Sequence, residues 1–258
     1  MLFDLRRVMS RIASEGVDEG LVYRQEKLHE RPMAAARRPG ALLCPICGTS
    51  AARFLPFGLA RRPNALCPGC GSVERHRFLW LFLTGHTDFF RRRYAVLHTA
   101  PEPCLEPAFR AWHGRGYISL DRFDPQADVQ ADLTDLPFAD HRFDVIVSSH
   151  VLEHVPDDRA AMAQLARVLK PSGWAVLMFP YTPKAAVTDE DPSVDGPAAR
   201  MARWGHPYHY RAYGRDVVDR LRAAGLEPQV FDSRRVLSPH RRRRHRVNAN
   251  FLFLCRRG

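Results

Sequence analysis

Residues 94 to 180 alternate short β-branched runs with stretches of helical period. Phe143 to Ser149 (FDVIVSS) is a compact apolar run between Asp140-His141 and a loop containing His and Glu, the pattern of a strand buried on both faces. Beyond it Met162, Leu165, Ala166 and Leu169 fall at helical spacing. Asp157 or Asp158 can cap that helix, and Lys170 falls in its last turn. Pro171-Ser172-Gly173 predicts the stop, and Trp174 to Phe179 (WAVLMF) a second buried strand, which together make a right-handed β-α-β crossover with parallel strands. Upstream, Tyr94 to Thr99 predicts a first strand, Leu105 to Trp112 its helix, and Gly114-Arg115-Gly116 a return turn. Tyr117 to Leu120 follows as a second strand ended by Asp121, and Ala127 to Ala131 as a third. Ser72 to Phe90 has an apolar block too short for a bilayer, for which about twenty residues are needed, so it predicts a helix packed against the sheet.

Ligands of open parallel sheets sit beyond the carboxyl ends of the strands. The residues there are His98 to Cys104 after the first strand, Ser148, Ser149, His150, Glu153 and His154 after the fourth, and Tyr181 after the fifth. Asp132, Leu136-Pro137-Phe138, Phe143-Asp144, Leu152-Glu153-His154, Val168-Leu169-Lys170-Pro171 and Gly173 follow one another in the order and spacing of a known family. On these residues the stretch from Ala131 to Pro180 resembles the class I S-adenosylmethionine-dependent methyltransferases, of the type 11-like, small-molecule kind. The resemblance implies a Rossmann-like α/β fold, with a mostly parallel seven-stranded sheet that ends in a C-terminal antiparallel hairpin. It also implies S-adenosylmethionine as cofactor. Asp121 would then accept hydrogen bonds from the ribose hydroxyls. Asp132, with Leu133 beside it, would receive the adenine amino group, and Ser149 and His150 would form the cofactor side of the fourth loop.

The first loop departs from that family. Most relatives carry an acidic residue and a Gly-x-Gly turn, whereas this chain has His98-Thr99-Ala100-Pro101-Glu102-Pro103-Cys104, with no glycine to supply positive φ. Two readings stand. Either His98, Ala100 and Glu102 form a variant loop in which Glu102 meets the ammonium of the cofactor's methionine part, or the domain has lost cofactor binding. An "APE" loop after a cysteine cluster resembles one subgroup of the family.

That cysteine cluster is Cys44-Pro-Ile-Cys47-Gly followed by Cys67-Pro-Gly-Cys70-Gly. Two such pairs place four thiolates on tight turns, the ligand set of a closed, tetrahedral, structural zinc ribbon with no open position for catalysis. Disulfides are the alternative. The duplicated knuckle and the absence of a secretory signal favour zinc and a reducing, cytoplasmic setting. Cys104 reads as an inert buried thiol, Cys255 as a core position of a last strand, and His76 as a capping or surface residue.

The chain of 258 residues, 45 % hydrophobic, is long enough for one α/β domain with a small appendage. The organisation expected is a helical arm and linker over 1–40, a zinc ribbon over 41–72, a connecting helix over 73–93 and a methyltransferase domain over 94–258. A lid insertion is expected at about 182–212. Net charge is +11, yet only Lys27, Lys170 and Lys184 are lysines. The run His240 to Arg246 reads as a solvated hairpin between the last two strands, or as a phosphate clamp for RNA or a nucleotide-linked substrate.

The lid ends in Trp204-Gly205-His206-Pro207-Tyr208-His209-Tyr210-Arg211. His209 and Arg211 are its functional candidates. His154 and His209 are the catalytic candidates for substrate-side work, an imidazole being able to take a proton near neutral pH. The expected activity is methyl transfer to an oxygen or nitrogen of a small-molecule or glycan-type acceptor, without membrane insertion. The alternatives are an RNA methyltransferase gripping through ribbon and arginines, and a non-catalytic module with a degenerate cofactor site.

Overall fold

A computed structural model describes residues 40–58 and 61–258. The predicted helical arm, apart from Gly40, lies outside them.

The first unit is organised by the cysteine pairs. Strands β1 (Leu42–Leu43) and β2 (Ser50–Ala51) pair antiparallel, as do β3 (Leu55–Phe57) and β4 (Arg62–Leu66). Each Cys-x-x-Cys turn closes through the glycine behind it: Gly48 N donates to Cys44 O (3.0 Å) and Gly71 N to Cys67 O (2.9 Å). Both glycines hold positive φ, +71° and +75°, where a Cβ is disfavoured.

Helix α1 (Glu74–His86) follows. Val73 N donates to His76 Nδ1 (3.3 Å), so His76 does cap this helix, but from a fully buried position and not from the surface. Phe78, Leu79, Phe82 and Leu83 are completely buried, because the helix packs against sheet residues such as Val96, Val145 and Val176 and against Ile46 and Cys70 of the ribbon.

The main body is β5 (Val96–Thr99), α2 (Glu106–His113), β6 (Tyr117–Asp121), β7 (Val129–Gln130), β8 (Phe143–Ser149), α3 (Asp158–Val168) and β9 (Leu169–Met178). An insertion then carries β10 (Asp189–Glu190), α4 (Pro197–Trp204) and β11 (Arg211–Ala212). The chain finishes with α5 (Val217–Ala223), β12 (Leu226–Asp232), α6 (Ser233–Val236), α7 (Pro239–His245) and β13 (Phe251–Arg257). The seven-stranded sheet runs β7-β6-β5-β8-β9-β13-β12. Strands β5 to β9 are parallel and β13 is antiparallel to both its neighbours, which makes a Rossmann-like α/β sheet with a C-terminal antiparallel pair. Alternation along β8 sends Ile146 into the core beneath α3 and α5, and Val145 and Val147 into the core beneath α1 and α2.

Three elements differ from the sequence pattern. Helix α3 stops at Val168, capped at its start by Asp157 Oδ1 accepting from Ala160 N (3.0 Å), so Leu169 and Lys170 belong to β9 and not to the helix. Leu169 pairs with Phe143, and Lys170 Nζ reaches Asp144 Oδ1 at 2.7 Å, which draws the segment into the sheet. Gly173 lies so close to Asp144 O that a Cβ would stand 2.8 Å from it, so the glycine permits strand contact instead of marking a helix stop. The third strand shrinks to Val129–Gln130. The arginine run is not a hairpin. It forms α7, which begins at Pro239 with Ser238 Oγ accepting from Arg241 N, and which packs on the ribbon through His245 Nδ1 and Leu43 O, 2.8 Å apart.

Ribbon and sheet are tied by one buried guanidinium. Arg77, on α1 and fully buried, donates to the carbonyls of Ala65, Ser72, His245 and Arg246, and stacks over the Phe54 ring at 4.8 Å. It therefore joins ribbon, α1 and the C-terminal end of α7 at one point.

Candidate active site

Strand order reverses between β5 and β8. Their carboxyl ends therefore diverge and open a cleft. Across its floor Thr99 Oγ1 donates to Ser148 Oγ (2.8 Å). The walls include Ala100, Asp121, Arg122, Asp132, Leu133 and His150 on one side, and Val151, His154, His206, Tyr208 and Tyr210 on the other.

Of the residues expected to meet a cofactor, the structure brings Ala100, Asp121, Asp132, Leu133 and His150 to this cleft. Ala100 occupies the left-handed region at φ +47° with its N–H bonded to Leu120 O (2.7 Å). The backbone turn that glycine supplies in relatives is thus made here by alanine, at the cost of local strain. His150 is likewise left-handed, φ +57°, with its N–H on Met178 O (2.7 Å). Asp121 is buried at the end of β6, and its Oδ1 accepts from the N–H groups of Phe123 and Asp124, which fixes the turn behind it. Burial would raise the Asp132 carboxyl, but bonds from Thr134 and the charge of Arg122, 3.1 Å away, hold it below the usual range.

His98, Glu102 and Ser149 are not among the lining residues. His98 sits fully buried in β5, its Nδ1 2.8 Å from Tyr117 Oη and its Nε2 2.8 Å from Glu102 Oε2. Glu102 Oε1 faces His76 Nε2 at 3.8 Å, and Cys104 Sγ lies 3.3 Å from His76 Nδ1. Burial works against ionisation of Glu102, yet the bond from His98 and the charge of His76 hold its carboxyl well below the usual carboxylate range. The first loop is thereby anchored to α1, and Glu102 serves that anchor behind the cleft. Ser149 is buried at the end of β8.

The far wall comes from the insertion. Arg211, which the sequence marks as a functional candidate, is buried and holds the insertion down. Its guanidinium donates to Leu152 O, Val155 O and Pro156 O and pairs with Glu190 at 3.1 Å. Arg220 braces the same point through Glu190, Asp158 and Asp216. Tyr210 N donates to Glu153 O (2.8 Å), so the insertion lies closed against the fourth loop. His154, His206 and His209 meet here, with ring centroids 4.4 to 5.0 Å apart. Burial pushes His209 down to about 3 against the opposing pull of Glu153, which keeps its ring neutral. Glu153 itself is fully buried; burial raises it, but the charge of His150, with Nδ1 at 2.9 Å, overrides this and holds it at about 2. His206 belongs to the aromatic and histidine cluster that ends the lid, and the His-Pro-Tyr-His spacing puts it three residues before His209.

In the ribbon all four sulfurs of Cys44, Cys47, Cys67 and Cys70 lie within 4.8 Å of one another. Cys44 and Cys70 are 3.6 Å apart, Cys47 and Cys67 3.8 Å, and no cysteine is in a disulfide. Thiolates at 2.3 Å from a tetrahedral zinc stand about 3.8 Å apart. The donor set therefore fits that ion.

A family model described as "Methyltransferase domain" matches residues 94–177, which hold β5 to β9. Over these residues the chain carries a methyltransferase domain. The chain is 39 % identical over 145 residues to the ubiquinone/menaquinone biosynthesis C-methyltransferase UbiE of Idiomarina loihiensis, covering 53 % of this chain and 56 % of that protein. A demethylmenaquinone methyltransferase of Staphylococcus carnosus is 41 % identical over 59 residues, 23 % of this chain and 24 % of that one. The chain thus spans little more than half the length of one curated relative and a quarter or less of the other. Among solved structures it is similar to the YcgJ protein of Bacillus subtilis, at 18 % identity, TM-score 0.49, and coverage of 71 % and 99 % of the two chains. It is also similar to the 1,6-didemethyltoxoflavin-N1-methyltransferase of Burkholderia thailandensis with bound S-adenosylhomocysteine, at 16 % identity, TM-score 0.47, and coverage of 71 % and 77 %. No helix among the described residues is long and apolar enough to cross a membrane.

Proposed function

We propose that the chain is an S-adenosylmethionine-dependent methyltransferase acting on an oxygen or nitrogen of a small-molecule or glycan-type acceptor. One observation carries this reading: Ala100, Asp121, Asp132, Leu133 and His150, which the family resemblance assigns to the methyl donor, line a single cleft at the switch point of a methyltransferase domain. Asp121 would hold the ribose hydroxyls, and Asp132 with Leu133 the adenine edge. The left-handed turn at Ala100 would bring the backbone of the first loop to the donor, so a glycine-free loop still suits binding. S-adenosylmethionine, when bound, supplies a methyl group on an electrophilic sulfonium.

The chain's own work is to align the acceptor with that methyl and to keep water out. The wall of Val151, Tyr208 and Tyr210 suits exclusion of water, and the histidines suit an acceptor that loses a proton. His154 and His209 are the residues that would take it, the neutral ring of His209 being in the protonation state a base requires. Cys44, Cys47, Cys67 and Cys70 would hold a structural zinc that contributes folding free energy to residues 41–72. The division into that ribbon, a connecting helix and a methyltransferase domain from residue 94 follows, and reduced thiols suit a cytoplasmic setting.

Calorimetry with S-adenosylhomocysteine tests the donor site. The zinc-loaded protein is expected to bind it. Asp121→Asn keeps an oxygen for the turn but removes the charge, and is expected to weaken binding by about 10- to 100-fold. A folded protein that gives no heat at millimolar ligand would sink the proposal.

A further inference from the structure

The acceptor end of the cleft holds more imidazole than one proton transfer requires. His154 ends the single 3₁₀ turn after β8, while His206 and His209 stand where the chain leaves α4 through left-handed Gly205. Each offers one ring nitrogen within 4.8 Å of the other two. His154 and His206 line the cleft, so the open side of the trio faces the cavity. Beside them lies Glu153, completely buried, whose Oε1 meets His150 Nδ1 at 2.9 Å while Oε2 has no hydrogen bond. A buried carboxylate oxygen without a hydrogen bond requires an explanation. The Glu153 carboxylate lies within electrostatic reach of His154 and His209.

We propose that His154, His206 and His209 form a second metal centre, which takes a divalent transition cation of the zinc type and leaves its fourth position open to the acceptor's oxygen. The proposal rests on the methyltransferase reading for its chemistry, though not for its ligands. Neutral imidazole is the donor these cations prefer, and three protein ligands with one open position is the pattern of catalytic centres, in contrast to the closed four-cysteine set of the ribbon. Nitrogens on a tetrahedral zinc at 2.1 Å stand about 3.4 Å apart, a separation that ring rotation reaches from the observed spacing. The long bond from Tyr208 N to His206 Nδ1, 3.3 Å, is the contact that ligation would exchange. Glu153 then balances the cation's charge from behind the ligands, as carboxylates behind metal-bound histidines do.

The chemistry balances without a further reactant. A hydroxyl acceptor bound at the open position loses its proton to solvent, because the cation lowers the hydroxyl's pKa. The oxygen's electron pair forms the new bond to the methyl carbon, the carbon–sulfur bond breaks, and the sulfur keeps that pair to give the thioether product. His154 and His209 then act as ligands in place of a base.

The test counts metal. Protein saturated with zinc and desalted is expected to retain two zinc ions per chain, and His206→Ala and His209→Asn each only one. S-adenosylhomocysteine calorimetry on the same samples shows whether fold and donor site survive in the variants. One zinc per chain in the wild type, or two in both variants, overturns the metal centre. Two in the wild type and one in the variants, with no binding of S-adenosylhomocysteine by any, supports the metal centre and defeats the methyltransferase reading instead.

Discussion

Ala100 is where local conformation and family pattern disagree. Its φ of +47° is a geometry that glycine adopts freely and alanine does not. Ala100→Gly is therefore expected to stabilise the protein by about 0.5–1 kcal/mol, the relief of left-handed strain less the added chain entropy of glycine. Urea unfolding measures this, and a destabilised variant would show that the side chain supplies packing that outweighs the strain. The sequence showed that the loop lacks glycine, but not that its backbone still turns as though it had one, because φ is set by the Leu120 carbonyl that holds the Ala100 N–H. The setting of Glu102 was not legible for a related reason. Its partners His76 and His98 lie on two different elements, and only the fold reveals that they share one buried site.

Elements whose pattern is local were legible, and those defined by a distant partner were not. β8 and the start of α3 follow from apolar spacing and an Asp cap, whereas the end of α3 depends on Phe143 pairing with Leu169. Helix α7 is the clearest case. Seven residues of mostly charged sequence gave no period to read, and their helix is held at its C-terminal end, where His245 meets both the ribbon and Arg77. Arg77→Met removes every donor to the carbonyls of Ala65, Ser72, His245 and Arg246 that this side chain provides. A loss of about 3 kcal/mol or more is expected, since buried acceptors are left without partners. Denaturant unfolding checks it; a loss below about 1 kcal/mol would mean that water replaces the guanidinium.

At the scale of the molecule the ribbon is not a separate bead. Glu74 links Arg62 to Asn248, His245 meets Leu43, and Cys70 and Ile46 pack into the same core as Phe78 and Val145. Stripping the proposed zinc with a chelator is therefore expected to lower the melting temperature of the whole protein in one transition. Two separated transitions in calorimetry, with the upper one unmoved, would show a ribbon independent of the sheet. The wall built by Ala100, Asp121, Asp132 and His150 was legible because these residues lie directly after strands. The opposite wall was not, because His206, Tyr208 and Tyr210 reach it from an insertion whose docking depends on Arg211 and Glu190.

The reach of Arg77 sets an order of assembly. Two of its four acceptors lie 168 and 169 residues further along the chain. During synthesis the two Cys-x-x-Cys turns can close early, but α1 cannot seat this charge until residues 245 and 246 exist. The ribbon thus waits, half docked, for almost the entire sheet to be made, and such distant contacts slow folding. A chain cut short before α7 would retain its four ribbon cysteines yet expose the apolar face of α1, which makes it a ready target for chaperones and proteases.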